Sequence, residues 1–207
     1  MSAAEYLPDR PSLKRLREAA AGCRGCPLWQ GPIQTVFGEG PADARLMLVG
    51  EVPGDREDRE GHPFVGPAGR ELDRGLEAAG IERTEVYLTN AVKHFKFEER
   101  GKRRIHQTPR KGEIDACSPW LDTEIKLIRP AGIVALGATA AKALFGSQFR
   151  LTQHRGELIE SEFAPVAAAT IHPAAIVRQR DAEARERERA AFADDLRGVL
   201  AAVAQSS

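Results

Sequence analysis

The sequence lacks the long apolar segments that mark membrane and secreted proteins. No apolar run approaches the roughly 20 residues that a membrane-spanning helix requires, so we expect no membrane partner. The first 13 residues include Glu5, Asp9 and Arg10 and contain no apolar stretch of the kind found in signal peptides. We therefore expect a cytoplasmic protein.

Cysteine is scarce as well, since the chain has only Cys23, Cys26 and Cys117. An odd number of cysteines without a secretion signal argues against a disulfide framework. Cys23 and Cys26 are separated by two residues, and this spacing suggests metal binding or redox chemistry instead.

A surplus of positive charge is also absent, because 30 basic and 30 acidic residues give a formal net charge of zero. Composition therefore gives no global support for a non-specific nucleic-acid binder. The basic residues are nevertheless uneven, with Lys102, Arg103 and Arg104 in succession. Such a run is either a solvated surface loop or a binding site, and the residues around it must distinguish the two.

Short apolar runs alternate with helical patterns along the 207 residues, of which 42% are hydrophobic. This alternation predicts a single α/β domain over residues 1–207, with a three-layer α/β/α arrangement and a central, mostly parallel, four-stranded sheet. Strand patterns occupy residues 45–49, 86–89, 132–136, 158–161 and 166–171. Helical patterns occupy residues 12–21, 68–79, 109–128, 138–145 and 181–203.

Polar or glycine-rich segments follow four of the apolar runs. Residues 50–54 read Gly-Glu-Val-Pro-Gly, residues 90–94 read Asn-Ala-Val-Lys-His, residues 137–139 read Gly-Ala-Thr, and residues 172–173 read His-Pro. In parallel α/β sheets, ligands bind outside the carboxyl ends of the strands. The sequence therefore predicts a site at that edge of the sheet.

Several of these segments resemble the motifs of iron–sulfur uracil-DNA glycosylases. The Gly-Glu-x-Pro-Gly loop at 50–54, Pro-Phe-Val-Gly-Pro-Ala-Gly at 63–69, Thr-Asn at 89–90 and His-Pro at 172–173 occur in the family's order. The resemblance implies the fold of that family and uracil-containing DNA as the substrate, with single strands accepted. A glycosylase of this kind flips the base into a tight pocket and reads its edge. We expect a monomer, because no long exposed apolar stripe is evident.

The resemblance also implies roles for individual residues. Phe64 would stack on the uracil, and Asn90 would hydrogen-bond to its O4 and N3–H. His172 would donate a hydrogen bond to O2 as the leaving base gains negative charge. Gly50 would let the backbone approach the ligand, and Asp55 would support the loop or position a histidine. A core phenylalanine, a strand-end cap and a plain loop histidine are the purely structural interpretations of the first three.

A metal site is the next implication of the resemblance. The family holds a 4Fe–4S cluster with four cysteines, and His94 stands where the third would be. The implied ligands are Cys23, Cys26, His94 and Cys117, with a structural role. Three cysteines and one histidine also suit structural zinc, and the spacing leaves zinc or the absence of a metal open.

Residues 101–109 read Gly-Lys-Arg-Arg-Ile-His-Gln-Thr-Pro and resemble the arginine-rich loop of the UdgX subfamily. Members of that subfamily end the reaction covalently attached to DNA, and His106 matches their reactive histidine. By this resemblance Glu51 would hold and polarise the imidazole, His106 would attack C1′ of the sugar, and the enzyme would turn over once. Lys102 and Arg104 would hold flanking phosphates and the loop.

One position departs from the subfamily pattern. The UdgX loop usually reads Gly-Glu-Gln-Pro-Gly, whereas this chain has Val52 at the glutamine position, as ordinary cluster glycosylases have a small apolar residue there. Reduced covalent yield or hydrolytic turnover therefore stays open. Two functions of a different class stay open as well: a non-catalytic, metal-bearing nucleic-acid-binding module, and an α/β protein that binds a small phosphorylated ligand with its glycine loop.

Overall fold

Strands and helices alternate along residues 1–206, which are the residues described by the structure, a computed structural model. The strands are β1 (Leu46–Gly50), β2 (Val86–Asn90), β3 (Phe97–Arg100), β4 (Arg103–His106), β5 (Gly132–Leu136), β6 (Leu158–Ile159) and β7 (Val166–Thr170). The α-helices are α1 (Leu13–Ala20), α2 (Asp55–Glu60), α3 (Pro67–Ala79), α4 (Lys111–Ile128), α5 (Ala138–Phe145), α6 (Leu151–His154), α7 (Pro173–Val177) and α8 (Ala182–Gln205).

The central sheet has the strand order β2-β1-β5-β7-β6. β2, β1, β5 and β7 are parallel, and β6 pairs with β7 in the antiparallel direction. The prediction of a mostly parallel sheet is confirmed, but the prediction of four strands is wrong because the sheet has five. The fifth strand is β6, which has only two residues and lies within the strand pattern predicted at residues 158–161.

Helices cover both faces of the sheet, which confirms the predicted three layers. Successive side chains of a strand point to opposite faces, and β1 shows the consequence. Leu46 and Leu48 pack in one apolar cluster with α3 and α8, whereas Met47 and Val49 pack in a second cluster with α4 and α5. Because all four parallel strands are covered on both faces, their residues are buried throughout, as is usual for parallel sheets.

A separate two-stranded sheet lies between β2 and α4 in the chain. β3 and β4 form an antiparallel hairpin in which Phe97 is opposite His106, and Gly101 at the turn has a φ of +61°. The sequence predicts a loop for this basic segment. Most of its residues are exposed and charged, so it lacks the apolar alternation by which strands are predicted.

The start of α4 also differs from the prediction, in which Thr108 is the N-cap and Pro109 is the first residue of the helix. The observed N-cap is Arg110, whose backbone N–H donates to Oε2 of Glu113 at 2.6 Å. Three short helices, α2, α6 and α7, are absent from the prediction. None of the helices in residues 1–206 combines the length and the apolar composition needed to cross a bilayer.

Candidate active site

A pocket of about 530 Å³ opens at the carboxyl ends of the parallel strands, where the sequence predicts a site. Its walls come from the loop after β1, the end of β2, the segment before α3, the start of α7 and the tip of β4. Seven of the predicted site residues line it, namely Glu51, Val52, Asp55, Phe64, Asn90, His106 and His172. Gly50, Lys102 and Arg104 are not among the lining residues.

The loop after β1 carries Glu51 and is tied to the loop after β2. The N–H groups of Ala91 and Val92 donate to the carbonyls of Gly50 and Glu51 at 2.9 and 3.1 Å, so the two loops behave as one unit. Oε1 of Glu51 is buried and has no hydrogen-bond partner among residues 1–206. A buried carboxylate oxygen without a partner is costly, and this one belongs to a side chain that lines the pocket.

Phe64 occupies a strained position at the pocket wall. Its φ of +56° is uncommon for a residue with a bulky side chain. Nη2 of Arg83 donates to the carbonyls of Pro63 and Phe64 at 3.1 and 3.3 Å, which holds this conformation. A Cβ at Gly69 would lie 1.8 Å from the Phe64 carbonyl oxygen, so only glycine allows α3 to approach so closely.

Asn90 ends β2 and is 3% exposed. A Cβ at Gly50 would lie 2.3 Å from Oδ1 of Asn90 and 2.7 Å from the Phe64 ring. Gly50 is therefore required beneath the site, where it lets the amide and the ring pack against the strand backbone. This is how Gly50 contributes without lining the pocket.

His172 is the N-cap of α7, and its Nδ1 accepts a hydrogen bond from the N–H of Ala174 at 3.1 Å. Because Nδ1 accepts, the proton of the neutral ring is assigned to Nε2. Burial, followed by the electrostatic influence of His106 and Arg178, lowers the pKa of His172 to about 4. The ring is therefore a neutral Nε2–H donor near pH 7, and it stacks on Phe64 with 6.2 Å between ring centroids.

His106 reaches the pocket from the β3–β4 hairpin rather than from the sheet. Its ring lies 6.3 Å from the Phe95 ring, which in turn stacks on Phe97 at 5.0 Å. His106 is exposed in β4, unlike the buried Asn90.

Arg104 attaches the hairpin to α2. Its guanidinium donates to Oδ1 of Asp55 and to Oδ2 of Asp58, both at 2.6 Å, and lies over the rings of Phe95 and Phe97. Hydrogen bonds from Arg59 and then Arg104 hold the pKa of Asp55 below its usual value. Arg104 thus connects the hairpin to α2, and its role toward DNA phosphates stays a prediction.

Asp58 is the main residue of the site for which the sequence predicts no role. Its side chain is fully buried, and it accepts hydrogen bonds from the N–H groups of Ile33 and Gln34 as well as from Arg104. It therefore joins three segments around the hairpin. A helix predicted over residues 55–60 would have placed Asp55 and Asp58 on one helical face, but no sequence signal connects that face to Arg104. Lys102, by contrast, is exposed at the hairpin turn.

The three cysteines are buried near the N-terminal segment, and Cys23 and Cys117 share an apolar cluster. Sulfur atoms there accept hydrogen bonds: the N–H of Lys93 donates to Cys117 at 3.3 Å, and Nε1 of Trp120 donates to Cys23 at 3.4 Å. Without a metal, burial raises the pKa of Cys117 to about 12.

His94 is buried, and burial lowers its pKa to about 4, so its imidazole is neutral and able to ligate. It follows Lys93, whose backbone contacts Cys117. In residues 1–206 no three histidine, cysteine, aspartate or glutamate side chains converge as closely as a single bound ion requires. A cluster spaces its ligands farther apart than one ion does, so the four-ligand set stays a prediction.

Val52 lies between the two regions. It is 6% exposed and packs with Cys23 and Cys117 in one apolar cluster, while it also lines the pocket. An apolar residue at this position therefore fills space between the pocket and the cysteines.

Comparison with known proteins agrees with this geometry. Residues 37–197 match the family model described as the uracil DNA glycosylase superfamily, which is well over half of the chain. The chain belongs to this superfamily. It is also 40% identical over 172 residues to a Type-4 uracil-DNA glycosylase of Sulfurisphaera tokodaii, covering 79% of this chain and 75% of that protein.

Two further relatives extend the comparison. A Type-4 uracil-DNA glycosylase of Thermotoga maritima is 38% identical over 169 residues, which cover 81% of this chain and 84% of that protein. A Type-5 uracil-DNA glycosylase of Pyrobaculum aerophilum is 30% identical over 152 residues, which cover 65% and 63%. The family is thus established, whereas assignment to the UdgX subfamily rests on residues 101–109 alone.

Proposed function

We propose that this protein excises uracil from DNA and remains covalently linked to the sugar C1′ through His106, as the resemblance to the UdgX subfamily implies. The observation that carries the proposal is the meeting of two groups of side chains in one pocket. Phe64, Asn90 and His172 can read a pyrimidine, and Glu51 and His106 can act on its sugar.

The first group recognises uracil by stacking and hydrogen bonds. Phe64 offers a ring face, and the Asn90 amide offers a donor and an acceptor that match uracil O4 and N3–H. His172 presents Nε2–H, because its Nδ1 is engaged by Ala174. A neutral donor directed at O2 stabilises the negative charge that develops on the base as the glycosidic bond breaks.

The second group captures the sugar. As the C1′–N1 bond breaks, its electron pair leaves with uracil, and the sugar gains oxocarbenium character. A ring nitrogen of His106 donates its electron pair to C1′ and forms the new bond. The proton on the other ring nitrogen passes to Glu51, the released uracil anion takes a proton from water, and the hydroxide that remains takes the proton from Glu51. The unpaired, buried oxygen of Glu51 supports its role as the group that holds the imidazole.

The reaction stops after one turnover because the imidazole occupies the place from which water would attack. An N-glycosidic bond to imidazole is also a poor substrate for hydrolysis. Val52 cannot supply the side-chain hydrogen bond of a glutamine at this position, so conventional hydrolytic turnover is the competing function.

We also propose that Cys23, Cys26, His94 and Cys117 hold a 4Fe–4S cluster. The burial of all four side chains and the N–H donors directed at two of the sulfur atoms support this set. When bound, the cluster acts as a structural crosslink between the N-terminal segment, the loop after β2 and α4. It takes no part in the steps described above.

The substrate that we propose is uracil-containing DNA, with single strands accepted and the protein acting as a monomer. Lys102 at the exposed hairpin turn would contact a phosphate beside the uracil nucleotide. The zero net charge means that affinity depends on such local contacts and on stacking.

The proposal is tested by incubating the protein with a single-stranded oligonucleotide that contains one uracil, beside a thymine control. We expect a heat-stable, uracil-dependent shift on a denaturing gel, and protease digestion with mass spectrometry should locate the deoxyribose on His106. An abasic product without a shift would establish hydrolytic turnover instead. If the folded, metal-loaded protein left the uracil in the oligonucleotide, the result would favour the non-catalytic nucleic-acid-binding module.

The cluster is tested separately, by metal and sulfide analysis of protein purified without oxygen. We expect about four irons and four sulfides per chain and absorbance in the visible range. His94→Cys should retain the cluster, and His94→Ala should lose it. One zinc per chain and no visible absorbance would identify a structural zinc site instead.

A further inference from the structure

A fully buried ion pair lies directly beneath the candidate active site. Lys93 and Glu124 are 1% and 0% exposed, and Nζ of Lys93 lies 2.6 Å from Oε2 of Glu124. Burying two charges carries a large desolvation cost, and apolar replacements of such pairs are often as stable or more stable. The hydrogen bonds of the two side chains indicate which function the pair serves.

Each proton of the Lys93 ammonium group has an acceptor. Besides Glu124, Nζ donates to Oγ1 of Thr89 at 2.6 Å and to the backbone carbonyl of Asn90 at 2.8 Å. The last contact reaches the residue that reads the pyrimidine edge in the proposed function. The Lys93 side chain therefore folds back beneath the loop in which it lies, and its ammonium group holds the end of β2.

Glu124 is fixed in turn by groups from the sheet. Tyr87 donates its hydroxyl to Oε1 at 2.8 Å, and the Thr89 hydroxyl lies 3.1 Å from both carboxylate oxygens. A Cβ at Gly38 would lie 2.2 Å from Oε1 of Glu124, so the chain passes too closely there for any side chain. A satisfied network of this kind permits one arrangement of its members.

The Asn90 side chain has few other restraints. Its Oδ1 packs against the Cα side of Gly50, and its orientation follows from the backbone of residues 89–93. That backbone is bonded to the β1 loop on one side and to Lys93 on the other. Removal of the ammonium group would release the Asn90 carbonyl from its only charged donor among the described residues.

We propose that the Lys93–Glu124 pair is a positioning element that holds the Asn90 amide in register with the uracil edge. This inference rests on the proposed function. Since the N–H of Lys93 also donates to Cys117, the same residue connects the base-reading amide to the cysteine region.

The test is a mutant cycle on the rate of uracil release in a single turnover. Lys93→Met/Glu124→Gln replaces the pair by neutral groups of similar shape and leaves an acceptor for Tyr87 and Thr89. In the wild-type background we expect a loss of about tenfold or more, and in the Asn90→Ala background a further loss below about threefold, because residues that act through each other are not additive. Equal losses in both backgrounds would overturn the proposal.

Two controls separate this role from general destabilisation. The exposed pair of Glu183 and Arg187 on α8 provides a matched double variant, Glu183→Gln/Arg187→Met, whose rate should equal that of the wild type. If the buried double variant does not fold, Tyr87→Phe keeps both charges paired and removes only the hydroxyl that fixes Glu124. The rate of uracil release should fall about threefold in the wild-type background and stay unchanged in the Asn90→Ala background. A fall of equal size in both backgrounds would overturn the proposal.

A crystal structure of the folded variant gives a readout that does not depend on activity. We expect the Asn90 carbonyl and amide to move while β1 and the cysteine region stay in place, and an unmoved Asn90 would refute the positioning role. If the wild-type protein itself released no uracil, the proposed function would fail. The crystallographic comparison would still show whether the pair positions Asn90.

Discussion

The two sides of the pocket are built differently. Asn90 ends one parallel strand of the central sheet and His172 follows another. The neighbouring backbone is bonded to the β1 loop, and a buried lysine of an ion pair donates to the Asn90 carbonyl. His106 stands on an exposed hairpin that Arg104 connects to α2 through Asp55 and Asp58. In the proposed function, base recognition therefore belongs to the sheet, and covalent capture belongs to the hairpin attached to it. The comparison implies that uracil release and covalent capture can be separated by mutation.

The largest effect is expected for His172→Ala, which removes the donor on the framework side. Loss of one preorganised hydrogen bond to developing charge costs about 10²–10³ in rate. Both uracil release and capture should fall together, because capture requires the bond to break. Single-turnover assays of the two products measure this, and a variant that kept its rate of release would remove His172 from the mechanism.

A smaller effect, confined to covalent capture, is expected for Arg104→Met. This substitution removes the ion pairs between the hairpin and α2 but keeps the aliphatic part of the side chain. A nucleophile displaced by about 1 Å loses on the order of 100-fold, so capture should fall by about 10- to 100-fold. Uracil release should stay within about threefold of the wild type. Arg103→Met, one residue away on the exposed side of β4, is the matched control. Equal losses of release and capture would mean that the two sides are not separable.

The protonation state of His172 can be tested by measurements that do not depend on enzymatic activity. Its pKa of about 4, against an ordinary value of 6.5, means that the unfolded chain takes up a proton below pH 6.5 before the folded protein does. The contribution of His172 to the free energy of unfolding is therefore fully present above pH 6.5 and is lost as the pH falls toward 4. Urea unfolding at pH 7 and pH 5 should show a smaller decrease for His172→Gln than for the wild type.

An NMR titration addresses the same group directly. The ¹⁵N shifts should report a neutral ring protonated at Nε2 at pH 7, with a midpoint near pH 4. A midpoint above pH 6 would contradict a neutral Nε2–H donor at the pocket wall.

The smallest effect is expected for Lys102→Ala at the hairpin turn. Loss of one phosphate contact to single-stranded DNA should weaken binding a few-fold and reduce the slope of log affinity against log salt by about 0.7. Fluorescence titrations at several salt concentrations measure this slope. An unchanged slope would show that the hairpin turn does not contact the DNA backbone.

The same two regions differ in how far the sequence predicts them. Glu51, Asn90 and His172 directly follow or end buried apolar strands, and that pattern alone places them at one edge of the sheet. The hairpin has no such pattern, because its exposed strands are held by charges and ring contacts from distant segments. Arg104 and Asp58 are 46 residues apart, and no local rule pairs them. The short helices α2, α6 and α7 are missed for the related reason that short elements carry little periodicity.

The most direct test of the separation is the His106→Ala variant, with free uracil and crosslinked DNA quantified in the same single-turnover sample. We expect no crosslink, continued release of uracil and an abasic site in the DNA, because water can take the place of the imidazole. Loss of uracil release together with the crosslink would contradict the separation, since bond breaking would then also depend on the hairpin. A crosslink that persisted in this variant would place the nucleophile elsewhere.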